Sequence, residues 1–178
     1  PIDDRLALLL TTSGSTGSPK LVRQSALNLE SNTESIVQYL EIVPDDKAIT
    51  TLPMNYTYGL SIINTHLYVG ATMILTEATL MDKAFWSLLR NEQATTFGGV
   101  PYIYEMLKKL RFSRMDLPSL RYITQAGGKL PKELAEEFYS ICVEKNIKMI
   151  IMYGQTEATA RMSYLPWKDA SSKAGSIG

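Results

Sequence analysis

Short apolar runs alternate with longer amphipathic stretches along almost the whole chain. The runs cover residues 6–10, 48–52, 71–75, 95–97, 120–124 and 147–153, are rich in β-forming side chains, and read as strands. Between them, residues 25–40 put Leu29, Thr33, Ile36, Val37 and Leu40 on one helical face. Pro101 opens a second helix, with Ile103, Met106, Leu107 and Leu110 at spacings of three, four and seven. Pro131 opens a third, with Leu134, Phe138, Ile141 and Cys142 on one side and Asn146 as its stop. Residues 58–69 and 81–91 complete the helical set.

Most of the strands are continuous apolar runs rather than in–out alternations, which suits a sheet covered on both faces. The expectation is an α/β fold: a mostly parallel sheet flanked by helices. In such sheets ligands bind beside the carboxyl ends of strands. Three polar, glycine-containing segments are expected there: residues 11–20, 125–129 and 153–157.

Composition narrows the chemistry. Eighteen basic residues balance eighteen acidic ones, so no overall field favours nucleic acid or an anionic membrane, and any anion site must be local. The single cysteine, Cys142, excludes an intramolecular disulfide and suits a reducing, cytoplasmic setting. The single histidine, His66, excludes a His-based metal cluster. No apolar run approaches the roughly 20 residues a membrane-spanning helix needs. Cys142, the pair Phe85-Trp86, Met149 and Met152 are expected in the core, His66 on a partly buried helix face, and Lys108-Lys109 with Arg111 and Arg114 on a solvated one.

Residues 11–20, "TTSGSTGSPK", hold six hydroxyl side chains, two glycines, a proline and a lysine. Such a tract is commonly a solvated linker. Here a buried-type strand is expected to enter it and a helix to leave it, the arrangement in which backbone N–H groups and hydroxyls converge on phosphate. Gly14 and Gly17 permit close approach, Ser13, Ser15 and Thr16 can donate to phosphate oxygens, and Lys20 brings positive charge. The P-loop pattern is absent, because Ser18-Pro19 separates Gly17 from Lys20; so are a G-x-G-x-x-G fingerprint and a G-x-S-x-G elbow.

The nine residues "TSGSTGSPK" resemble the signature T-[SG]-G-[ST]-T-G-x-P-K of the adenylate-forming superfamily, which includes acyl-CoA synthetases, luciferases and peptide-synthetase adenylation domains. Leu21 stands where that family usually has glycine. Two further segments match in order. "YGQTEATA", residues 153–160, resembles the family's Y-G-x-T-E, and "AGGKLP", residues 126–131, its G-G-x-x-[LP]. Each also reads plainly as a turn before a helix. "PMNYTYGLS", residues 53–61, lies where coenzyme-A ligases and luciferases carry a P-x-x-H-x-x-G-like segment, with Tyr56 in the histidine's place and Gly59 matching the glycine.

The resemblance implies an acid–thiol ligase. A carboxylate attacks the α-phosphate of ATP, giving an acyl-adenylate and pyrophosphate; a thiol of CoA or of an acyl-carrier protein then displaces AMP. It implies Thr156, Glu157 and Lys20 as catalytic groups, and a nucleotide (ATP/AMP) site at Thr12, Ser13, Gly14, Ser15, Thr16, Gly17, Lys20, Gly127, Gly128, Lys129, Tyr153, Gly154, Gln155 and Thr156. Tyr56 and Gly59 would border the pocket for the small-molecule carboxylate. Glu157, with Thr12, would hold Mg2+, for which a carboxylate is a fitting hard ligand. Residues 1–178 would be the central part of the large N-terminal AMP-binding domain, with a ribose-binding aspartate and a lysine-bearing C-terminal domain outside the chain. Alone, such a segment is expected to be inactive and, with exposed strand edges, prone to self-association. The rival expectations are a nucleotide-binding module without chemistry and an α/β domain whose loops bind nothing.

Overall fold

The computed structural model describes residues 3–12 and 20–177. Six strands form the main sheet: β3 (Lys47–Ile49), β4 (Thr72–Ile74), β5 (Thr96–Gly99), β6 (Tyr122–Gln125), β7 (Lys148–Tyr153) and β8 (Ser163–Leu165). Their order is β4-β3-β5-β6-β7-β8, parallel throughout except for the antiparallel edge strand β8. The expected α/β class with a mainly parallel sheet is what the chain adopts.

Side chains of the central strands alternate between two cores, which explains their unbroken apolar runs. On one face Ile123, Met149 and Ile151 pack with residues of α3 (Lys83–Asn91), α4 (Pro101–Lys109) and α5 (Lys132–Glu144). On the other, Tyr122, Ala126, Ile150 and Met152 pack with α1 (Ala26–Leu40) and α2 (Thr57–Tyr68). Phe85, Leu89, Tyr104, Leu107 and Phe138 are fully buried in the first core, and Ile36, Leu40 and Tyr58 anchor the second. Cys142, Met149 and Met152 are core residues as expected. Among the described residues no helix is long and apolar enough to cross a membrane.

The helices start where their sequence signals lie. Ser25 caps α1, accepting from the Asn28 backbone N–H at 3.1 Å while the Asn28 side chain accepts from the Ser25 N–H at 3.1 Å. Pro101 is in the first turn of α4, and Pro131 caps α5 from outside. Asn146 lies just beyond α5 at φ 55°, a left-handed conformation that ends the helix.

One expectation fails here. The stretch 11–20 does not join a buried strand to a helix. It joins β1 (Leu6–Thr11) to β2 (Leu21–Ser25), an antiparallel hairpin forming its own two-stranded sheet, with Thr11 paired to Leu21 and Leu8 to Gln24. Of β1 only Leu10 is buried, and of β2 only Gln24. A five-residue strand running straight into a helix cap carries too little periodicity to be separated from that helix by pattern alone. The three-residue β8 is too short to carry a pattern, for the same reason.

Candidate nucleotide site

The carboxyl ends of β6 and β7 open into a cavity of about 840 Å3, within the usual range for small-molecule sites. After β6, the buried Gln125 amide donates to the carbonyls of Gly128 at 2.8 Å and Ala126 at 3.2 Å, folding the glycine turn back on itself. Gly127 stands at φ 78°, and a Cβ there would meet the Tyr56 hydroxyl at 2.5 Å. Glycine is therefore required twice over, by conformation and by space. The Tyr56 phenol forms the facing wall, and partial burial raises its pKa.

After β7 the chain enters a 3₁₀ turn, Thr156–Ala158, tied by Ala158 N–H to Gln155 at 3.1 Å and Thr159 N–H to Thr156 at 3.2 Å. Thr159 takes up φ 72°, a costly conformation for a β-branched residue. A Cβ on Gly154 would lie 1.7 Å from the Ala160 carbonyl oxygen, so the turn packs backbone against backbone. The Thr156 hydroxyl shares a hydrogen bond of 3.0 Å with that of Thr57 at the start of α2.

The cavity gathers most of the residues singled out from the sequence. Thr12, Tyr56, Gly127, Gly128, Lys129, Tyr153, Gly154, Gln155, Thr156 and Glu157 all line it. Lys20 does not; it is exposed at the neck of the β1–β2 hairpin, where its carbonyl accepts from the Thr12 N–H at 3.1 Å. Gly59 is buried in α2, its Cα facing the Pro53 carbonyl so closely that a Cβ would come within 2.2 Å. Its visible role is to let α2 approach that carbonyl. Ser13, Gly14, Ser15, Thr16 and Gly17 lie outside the described residues.

Other lining residues carry no signature of their own in the sequence. Thr57 lies between the two tyrosines of the 53–61 segment. Gln125 precedes the glycine pair and is what folds it. Arg161 is buried at 6% exposure, its guanidinium donating to Ser61 Oγ at 3.0 Å and lying 5.0 Å from the Tyr58 ring centre. Tyr58 donates to or accepts from Thr124 Oγ1 at 2.7 Å, and burial pushes its phenol up to about 12, the Arg161 charge opposing that rise. An arginine beside a turn gives no periodic signal, so only the fold reveals its burial.

Charged groups on the described walls are Lys129, Arg161 and Glu157, two cations to one carboxylate, a balance that suits an anionic ligand. No group of three or more His, Cys, Asp or Glu side chains that could hold a metal occurs among the described residues. A metal here would therefore be one that accepts a single protein carboxylate and completes its shell with phosphate and water oxygens, the habit of Mg2+. Glu157 fits that part. His66, by contrast, lies outside the cavity: buried in α2, it holds the Ile62 carbonyl at 2.7 Å and the Tyr122 hydroxyl at 3.2 Å.

Similarity to known proteins points the same way. The chain is 33% identical over 173 residues to the indoleacetate–CoA ligase of Aromatoleum aromaticum, covering 96% of this chain and 33% of that enzyme. Its fold superposes on the inhibitor-bound N-terminal domain of FACL13 from Mycobacterium tuberculosis with a TM-score of 0.85 at 27% identity, over 100% of this chain and 45% of that one. O-succinylbenzoate CoA synthetase of Bacillus subtilis in complex with AMP matches with a TM-score of 0.84 at 29% identity, over 98% and 35% respectively; the same synthetase is also known in complex with ATP and magnesium ion. The chain thus spans about a third of the length of the curated relatives it matches. The profile of the AMP-binding enzyme family matches residues 1–178, and the chain belongs to that family.

Proposed function

We propose that this chain carries the nucleotide-binding part of an acid–CoA ligase that forms an acyl-adenylate from a carboxylate and ATP, releasing pyrophosphate, before a thiol displaces AMP. The supporting observation is the single cavity in which the 126–130 turn, the 153–157 turn, Thr12 and Tyr56 meet. The names of its relatives support the thiol as that of CoA.

Adenylation concentrates negative charge on an α-phosphate already surrounded by oxygens, so the barrier falls when fixed donors and cations face it. A bound magnesium ion would supply charge neutralisation to the phosphates. In this reading Glu157 holds it with Thr12, the Thr156 hydroxyl donates to the α-phosphate, and Lys129 contributes positive potential at the cavity mouth. Gly127 and Gly128, which carry no side chains, let the flat adenine ring lie against their backbone, with Tyr153 as its stacking partner. Ser13, Gly14, Ser15, Thr16, Gly17 and Lys20 complete it as the phosphate loop. Tyr56 borders the site of the carboxylate.

The test is ATP–pyrophosphate exchange by the full-length protein carrying this chain, across a panel of aryl and alkyl carboxylates. At least one acid should support exchange, and Glu157→Ala should reduce its Mg2+-dependent rate by about 100-fold or more. No exchange with any acid, or an undiminished rate in the variant, would refute the reading. The 178-residue segment alone should show no turnover.

A further inference from the structure

The one buried residue of β2 is an amide. Gln24 is 2% exposed, at an inward-facing strand position where an aliphatic side chain would ordinarily go. Its Nε2 donates to two carbonyls, Thr156 at 2.9 Å and Thr159 at 3.3 Å. Carbonyls only accept, so the orientation of the amide is dictated by its partners. Its Oε1 has no hydrogen-bond partner among the described residues. A buried amide at such a position is held by the polar groups it joins rather than by apolar packing, and here both partners belong to one turn.

The two carbonyls bracket the turn that presents Glu157. Thr156 begins the 3₁₀ turn and Thr159 ends it at φ 72°. Gln24 itself lies four residues beyond Lys20 in the strand that leaves the glycine–hydroxyl stretch. A single side chain therefore spans 132 positions and ties the hairpin carrying that stretch to the turn carrying Thr156 and Glu157.

We infer that Gln24 is a positioning residue: its amide fixes the Thr156–Glu157 turn against the β1–β2 hairpin, so that the phosphate-facing and magnesium-holding groups keep one geometry. This rests on the functional reading given above for Thr156 and Glu157. Small displacements of such groups lower rate far more than they lower substrate binding.

The experiment compares wild type with Gln24→Met, close in shape but without the amide, in the full-length protein; Gln24→Leu serves as a second apolar variant should the first fail to fold. The amides of residues 158–161 are read by hydrogen exchange without nucleotide, and pyrophosphate exchange gives kcat and KM. The expected result is exchange of those amides faster by about fivefold or more, with kcat down roughly tenfold or more and the KM for the carboxylate within about twofold. Unchanged amide exchange, or faster exchange with an unaltered kcat, overturns the proposal. If the wild type supports no pyrophosphate exchange, the functional reading fails instead, and the amide exchange alone decides whether Gln24 holds the turn.

Discussion

Thr57 and Thr156 meet hydroxyl to hydroxyl at 3.0 Å across 99 positions of chain. One opens α2, immediately after Tyr56; the other opens the 3₁₀ turn of Glu157. This contact gives the Thr156 hydroxyl a fixed partner where the 3₁₀ turn meets the start of α2. Thr57→Val keeps the shape of the side chain and removes the bond. A net hydrogen bond is worth about 1 kcal/mol, so kcat for pyrophosphate exchange should fall roughly three- to tenfold while Thr57→Ser remains near wild type. Equal rates in Thr57→Val would show that the contact does not orient Thr156.

Gly154 admits no side chain. The 1.7 Å approach to Ala160 O is to backbone, which cannot rotate away. Gly154→Ala must therefore push the 3₁₀ turn outward, at a cost of about 1–3 kcal/mol. Nucleotide affinity, measured by calorimetry with AMP, should weaken by at least about tenfold. A variant that bound AMP normally would mean that the turn lies outside the nucleotide's reach.

Far from the cavity, Asp46 at the amino end of β3 is completely buried and takes three donors: Val43 N–H at 3.0 Å, Thr95 Oγ1 at 2.7 Å and Arg121 at 2.5 Å. The Arg121 side chain is 40% exposed, so its guanidinium turns to water when the carboxylate is removed. The Val43 N–H and the Thr95 hydroxyl are instead left without their acceptor. Asp46→Ala should destabilise the domain by about 2–4 kcal/mol in denaturant unfolding, and Arg121→Ala, which leaves both of those hydrogen bonds in place, by less. The reverse ranking would mean that the ion pair, rather than the buried hydrogen bonds, dominates.

His66 sets a pH dependence of stability. Burial pushes its imidazole below the ordinary value of 6.5. Nδ1–H donates to the Ile62 carbonyl, leaving Nε2 to accept from Tyr122. The folded chain thus holds a neutral ring that the unfolded chain protonates below pH 6.5. Stability from this residue is complete above that pH and is lost as pH falls from 6.5 toward the depressed folded value. His66→Gln should flatten the difference in unfolding free energy between pH 7.5 and 5.5. An identical pH slope in wild type and variant would exclude His66 as its source.

Much of the molecule was legible without coordinates. The helical faces of α1, α4 and α5, the Pro and Ser caps, and the apolar runs of β5, β6 and β7 are local patterns, and short-range backbone sterics and burial periodicity decide them. Gly127, Thr156 and Glu157 fall in segments expected at strand ends, Tyr56 stands out through the family resemblance of residues 53–61, and all four line one cavity.

Other features exist only because distant segments touch. Whether residues 21–25 begin a helix or pair with β1 depends on a hydrogen-bond partner elsewhere, and five residues hold too little periodicity to say. Gln24 carries no mark in the sequence; its amide hydrogens bond the Thr156 and Thr159 carbonyls, at least 132 positions away. Arg161 carries no local signal and lies buried on the Tyr58 ring; Gly59 reads as a pocket residue and is packed against Pro53. Local energetics act within a few residues and leave their mark on sequence. The pairing of buried polar groups is satisfied across the whole chain, and so it appears only once the chain has folded.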